Sequence, residues 1–115
     1  MKMVHVTIHT CRFEEEVSFY QNIIGLSVDR DMRPDRNMVF LSDAPGDTCI
    51  EIIEDMNAAD AGNANLSVGF KCGDVDAKHA ELKQAGLAVS DIIAPNPHVK
   101  FFFVKDPAGV RVQLI

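Results

Sequence analysis

A chain of 115 residues, 47% hydrophobic and 24% charged, is long enough to bury a core without staples, and its composition argues against disorder. A formal charge of -6 argues against nucleic acid or an anionic membrane surface as partner, because phosphate-rich partners select basic patches. Three cysteines without a Cys-x-x-Cys spacing, Cys11, Cys49 and Cys72, are expected to be ordinary thiols in a reducing cytoplasm. Met1-Lys2 leads straight into a strand with no apolar leader, and no run approaches a membrane span. One cytoplasmic domain over residues 1–115 is the expectation.

The first predicted strand covers residues 3–9, Met3-Val4-His5-Val6-Thr7-Ile8-His9, in strict alternation. Val4, Val6 and Ile8 fall on the side that packs on a helix, and His5, Thr7 and His9 on a side able to line a cavity. A helix follows over about 13–23 with the apolar stripe Phe13, Val17, Tyr20 and Ile24. Glu14, Glu15 and Glu16 sit in its first turn, where carboxylates suit the dipole, and Gly25 stops it. Strands are predicted at about 27–32 and 37–42, then the turn Ser42-Asp43-Ala44-Pro45-Gly46-Asp47 and a strand at 48–54. Residues 55–64 are small and polar and read as a linker. Beyond it come a strand at 65–71, a helix at 75–85 ended by Gly86, and strands near 88–93 and 99–104. The turn Asp106-Pro107-Ala108-Gly109 leads into a last strand at 110–115.

The two halves repeat each other. Laying Ser67 on His5 sets HVTIHTCRFEEEVSFY against SVGFKCGDVDAKHAEL, so that Val6 meets Val68, Ile8 meets Phe70 and Phe13 meets Val75. After a one-residue deletion Gly25-Leu26-Ser27-Val28 falls on Gly86-Leu87-Ala88-Val89. The first offset then returns: Val39-Phe40-Leu41 falls on Phe101-Phe102-Phe103, Pro45 on Pro107, and Ile50-Glu51-Ile52 on Val112-Gln113-Leu114. Identities are few, but apolar positions, turn prolines and glycines coincide, and a duplicated module explains this better than chance. The fold class is α+β: two tandem βαβββ modules at about 1–54 and 65–115.

Parity sorts the candidate site residues. A carboxylate belongs away from the helix-packed layer, so Glu51 points the same way as His5. In the second module Leu66, Val68 and Phe70 make the apolar side, with Asn65, Ser67, Gly69 and Lys71 opposite. The last strand turns Val110, Val112 and Leu114 inward, leaving Arg111, Gln113 and Ile115 opposite. The repeat thus matches His5 with Ser67 and Glu51 with Gln113. Imidazole nitrogen and carboxylate oxygen on neighbouring strands can begin a divalent metal site. Such a pair is more often a solvated pair or a hydrogen bond, and the residues alone leave these readings open beside the metal site.

Other polar residues carry less. His9 lies roughly 13 Å along the strand from His5 and reads as a rim residue able to meet substrate. His79 falls on the apolar stripe with Val75 and Leu82, as a packed histidine, and His98 sits on a Pro-rich loop over residues 94–98. Among Arg12, Arg36, Lys100 and Arg111, the last is the best receptor for an anionic substrate, two residues from Gln113. Cys49 shares the Glu51 face and is either a soft metal ligand or a small hydrophobe. No Ser-His-Asp arrangement, phosphate loop or nucleotide fingerprint is present.

The segments HVTI...VSFYQNIIGL, DVDAKHAELKQAGL and FFFVKDPAGVRVQLI together resemble the vicinal oxygen chelate superfamily over essentially the whole chain. That superfamily includes glyoxalase I, methylmalonyl-CoA epimerase, extradiol dioxygenases, and fosfomycin- and bleomycin-resistance proteins. The closing segment is similar to the family's F-x-D-P-x-G-x-x-x-E-L ending, with Val104 for the Phe and Gln113 for the Glu. The resemblance implies an open, curved, mostly antiparallel sheet with the helices outside, a ligand in the concavity, and a homodimer. It implies metal ligands on the first and last strand of each module. His5 and Glu51 match the first two positions, Ser67 stands where a His is usual, and Gln113 where a Glu is usual.

By that resemblance the metal ligands are His5, Glu51 and Gln113, with Glu51 and Gln113 as catalytic candidates and Ser67, Arg111, Thr7 and His9 meeting substrate. The cofactor is a divalent metal, nickel or zinc ahead of manganese or iron, or none if the site is degenerate. The implied activity is glyoxalase-like (lactoylglutathione lyase-like) proton transfer next to a carbonyl on a small oxygen-chelating substrate. The rival reading is a metal-free binding protein of bleomycin-resistance type. Acidic charge favours that rival, whereas the absence of Trp and a single Tyr weaken it, because flat ligands are held by stacking.

Overall fold

The computed structural model describes residues 1–60 and 65–115. The chain divides into two compact units, Met1–Asp60 and Ala61–Ile115. Each is a βαβββ arrangement with its own mixed, four-stranded sheet. The first holds β1 (His5–Thr10), α1 (Phe13–Ser18), β2 (Ser27–Asp31), β3 (Met38–Ser42) and β4 (Cys49–Glu54). The second holds β5 (Ser67–Phe70), α2 (Val75–Gln84), β6 (Ile93–Asn96), β7 (Val99–Lys105) and β8 (Arg111–Leu114).

Strand order is β1-β4-β3-β2 in one sheet and β5-β8-β7-β6 in the other. In each unit the first and last strands pair in parallel, and the other pairings are antiparallel. The first core gathers Ile8, Phe13, Val17, Phe19, Tyr20, Val39, Leu41, Ile50 and Ile52. The second gathers Val75, Leu82, Phe102, Val104, Val112 and Leu114. Among the described residues no helix is long and apolar enough to cross a membrane.

Several expectations shift by a residue or more, for physical reasons. The helix expected over 13–23 is α-helical only to Ser18 and continues as a π-helical segment, Phe19–Ile24. The wider turn lets the adjacent residues Phe19 and Tyr20 both reach the core, while Ile24 is only half-buried. Gly25 then takes the left-handed conformation at φ 89°, and the Leu26 amide donates to the Tyr20 carbonyl at 2.9 Å. Glu14, Glu15 and Glu16 occupy the first turn as expected, and Glu16 is fully buried there. Val4 and Leu66 lie outside β1 and β5 and are exposed, so the apolar sides begin at Val6 and Val68.

In the second unit the strand expected near 88–93 is reduced to a bridge between Val89 and Val104. The expected Pro-rich loop is instead β6 and a turn at Pro97-His98. Proline survives in β6 because that strand is an outer one, where a missing N–H breaks no ladder. Asp74 caps α2 by accepting from the Ala77 amide at 3.0 Å. Of the expected linker, residues 55–60 carry no helix or strand, and 61–64 lie outside the described residues.

The repeat holds across the outer strand pair and slips inside. His5 opposes Cys49 as Ser67 opposes Arg111, and Thr7 opposes Glu51 as Gly69 opposes Gln113. On the next strand Phe40 opposes Glu51, whereas it is Phe103 that opposes Gln113. The counterpart of Phe40 is therefore Phe103, one residue beyond the Phe102 that sequence alignment suggests. A one-residue slip sends a side chain to the other face of a sheet.

Candidate functional site

Alternation along β1 and β4 places His5, Thr7, Cys49 and Glu51 on one face, away from the buried Ile8, Ile50 and Ile52. Glu51 accepts a hydrogen bond from Thr7 Oγ1 at 2.5 Å, through Oε2. The same oxygen stands 3.3 Å from His5 Nε2. The Glu51 side chain is 11% exposed and that of His5 43%, so a sheltered, tethered carboxylate faces an imidazole that solvent or a ligand can reach.

Phe40 and Arg30 complete this face, and sequence reasoning missed both. The Phe40 ring meets the His5 ring edge-on, with centroids 6.1 Å apart. The Arg30 guanidinium carbon lies 4.5 Å from the Phe40 centroid, a cation–π contact. Phe40 could have been found by parity once β3 is set against β4. Arg30 could not, because the register shifts between Val28 and Arg30.

Cys49 is buried, with Sγ 3.7 Å from Asp29 Oδ2 and 3.5 Å from the Asp47 carbonyl oxygen. Burial, and then the Asp29 charge, push its thiol up. The protonated thiol donates to its oxygen neighbours Asp29 Oδ2 and the Asp47 carbonyl. His9 stands apart from the His5–Glu51 pair, with Nδ1 3.9 Å from Asp55 Oδ2 at the exposed end of β1.

The corresponding face of the second unit carries Ser67, Gly69, Arg111 and Gln113. The residue matching Thr7 is Gly69, so the hydroxyl that tethers Glu51 has no counterpart beside Gln113. Gln113 Oε1 lies 3.4 Å from where a Cβ on Gly69 would stand, so the amide extends over the space the missing side chain leaves. Arg111 is half-buried, with its guanidinium carbon 4.2 Å from the Phe103 centroid. His79 is packed as expected: Nε2 is 2.8 Å from the Ser90 carbonyl oxygen, and the ring meets Phe102 edge-on at 4.9 Å.

Two ligand atoms about 2.0–2.1 Å from one ion, at a tetrahedral angle, stand roughly 3.4 Å apart. The 3.3 Å between His5 Nε2 and Glu51 Oε2 therefore fits two adjacent ligands of a divalent ion. Among the described residues no group of three or more His, Cys, Asp or Glu side chains could hold a metal ion. Within the first unit His5 and Glu51 are thus a pair of possible ligands and not a cluster.

Residues 2–114 match the model of the Glyoxalase/Bleomycin resistance protein/Dioxygenase superfamily. The trypanothione-dependent glyoxalase I of Leishmania major is similar in structure, with TM-score 0.80 at 20% identity over 100% of this chain and 86% of that one. A lactoylglutathione lyase from Agrobacterium tumefaciens gives TM-score 0.69 at 17% identity, over 98% and 91% of the two chains. TnmS3, an antibiotic binding protein from Streptomyces sp. CB03234, gives 0.70 at 20% identity, over 99% and 94%. At these identities the likeness is one of fold. No curated protein sequence matches the chain.

Proposed function

The chain belongs to the Glyoxalase/Bleomycin resistance protein/Dioxygenase superfamily, and from that premise we propose a glyoxalase-like, metal-dependent enzyme. Its substrate is a small oxygen-chelating molecule, and its chemistry is proton transfer next to a carbonyl. The observation that carries this reading is the convergence of His5 Nε2 and Glu51 Oε2 at 3.3 Å. His5 and Glu51 hold the ion, nickel or zinc ahead of manganese or iron. When bound, such an ion stabilises negative charge developing on substrate oxygen.

The residues' own part is positional and basic. Thr7 fixes one Glu51 oxygen toward His5. Proton movement falls to Glu51, the carboxylate beside His5, since an amide at Gln113 cannot take a proton. Phe40 shields one flank of the imidazole and favours a single ring orientation. Gln113, a further ligand in this proposal through its amide oxygen, belongs to the second unit and is tested separately by Gln113→Ala. A homodimer and a cytoplasmic location complete the reading.

A second reading is a metal-free small-molecule binding protein; the similar TnmS3 is named an antibiotic binding protein. It is favoured by the lack of a three-residue metal cluster among the described residues. Elemental analysis of untagged protein, dialysed against nickel, zinc or manganese, separates the two. Near-stoichiometric retention, lost in His5→Ala and in Glu51→Ala, supports the enzyme and directs assays to hemithioacetals. Retention of no metal favours the binding protein, and unchanged retention in both variants removes His5 and Glu51 from the site.

A further inference from the structure

We propose that the second unit carries a carboxylate-binding cleft of its own, built on Arg111 and Lys105. The cleft holds about 440 Å³ and is lined by Leu87, Val89, Ser90, Phe103, Lys105 and Arg111, among others. That volume lies in the range of small-molecule sites. Every lining residue belongs to the second unit, so the proposal does not rest on metal binding at His5 and Glu51.

Three observations converge on an anion. Lys105 and Arg111 are directly opposed across β7 and β8, and like charges so placed repel. Neither forms an ion pair with a described carboxylate, although acidic residues outnumber basic ones 17 to 11. Arg111 Nε is moreover buried with no hydrogen-bond partner, while the guanidinium lies 4.2 Å over the Phe103 ring. A flexible arginine can avoid that burden by swinging into water; here stacking on Phe103 holds it at the cleft. The same register position in the first unit is the uncharged Cys49, so the charge pair is a particular of this unit.

The lining defines the ligand further. Ser90 is already engaged, its Oγ donating to the Asp91 carbonyl and accepting from the Phe103 amide at 2.8 Å. The remaining polar groups are two cations, and Leu87, Val89 and Phe103 form apolar wall. This suits a small carboxylic acid with a hydrocarbon or aromatic body: the guanidinium fork and the ammonium meet the carboxylate, and the wall meets the body. A bare phosphate would leave the wall uncovered.

Benzoate is the probe, with benzamide as its neutral counterpart and inorganic phosphate as the polar control. Amide shifts of the labelled full chain are followed by NMR. Benzoate is expected to saturate shifts at residues 87–90, 103–105 and 111, about tenfold more tightly than benzamide, and more weakly as salt rises. Arg111→Gln and Lys105→Gln each weaken benzoate about tenfold, whereas His5→Ala leaves it unchanged. Absence of saturable benzoate binding, equal affinity for benzamide, tighter phosphate binding at the same amides, or benzoate affinity unchanged in the glutamine variants would each overturn the proposal. Should Arg111→Gln fail to fold, Lys105→Gln, at an exposed position, decides the question alone.

Discussion

Replacing Thr7 by valine tests whether the tether on Glu51 positions the carboxylate. Valine keeps the branched shape and removes the hydroxyl that donates to Glu51 Oε2 at 2.5 Å. A hydrogen bond to a charged group contributes about 1.5–3 kcal/mol. Thr7 is exposed, so water replaces part of the bond and the loss falls at the low end, about 1.5 kcal/mol. For a chain of this size that lowers the melting temperature by about 3–8 °C, measurable by calorimetry. The functional cost is expected to be larger in proportion: a freed carboxylate no longer presents one oxygen to His5, and outer partners of metal ligands are worth about 10–100-fold in affinity. Nickel or zinc titration should show at least the lower figure for Thr7→Val, with affinity restored in Thr7→Ser, which keeps the hydroxyl. A Thr7→Val protein with undiminished metal affinity refutes the positioning role, whatever its stability. Loss of affinity that serine does not restore assigns the effect to the methyl group instead.

Other outcomes follow from the packing and charges. Phe102→Ala removes a fully buried ring that meets His79, and should cost about 3–5 kcal/mol in urea unfolding; a loss under about 1 kcal/mol would contradict the burial. The Arg33 side chain, then its backbone N–H, hold the Asp31 carboxyl down from 3.8 to about 2. Because the folded value lies below the unfolded one, this contribution is present above about pH 4 and is lost as pH falls toward 2. Carboxyl NMR titration should place Asp31 there, and Arg33→Ala should return it toward the ordinary value. Timed alkylation read by mass spectrometry should modify the exposed Cys11 first and the buried Cys49 slowly, with burial raising the Cys49 and Cys72 thiols. Faster labelling of Cys49 than of Cys11 would mean that β4 is not covered as described.

Period-two alternation made β1 and β4 readable, because opposite faces of a strand meet opposite environments. The pairing of His5 with Glu51 followed from it, as did the match of the outer strands between units. What stayed hidden depends on register. Three consecutive phenylalanines, Phe101, Phe102 and Phe103, offer no alternation, so sequence alignment set Phe40 against Phe102 when its counterpart is Phe103. Arg30 lay beyond a bulge, which no local pattern announces. Adjacent buried residues Phe19 and Tyr20 contradicted a single helical stripe, and a π-helical segment resolved them. The opposition of Lys105 and Arg111 needed the β7–β8 ladder, since the two sit on either side of a turn.

The parallel pairing of first and last strand has a consequence for synthesis and breakdown. β4 is inserted between β1 and β3, and β8 between β5 and β7, so each unit is closed by its final segment. His5 and Glu51 lie on the two strands whose meeting performs that closure, separated in sequence by nearly the whole unit. A nascent or clipped unit that lacks β4 therefore holds His5 without Glu51, and the two side chains meet only in the event that seals the sheet.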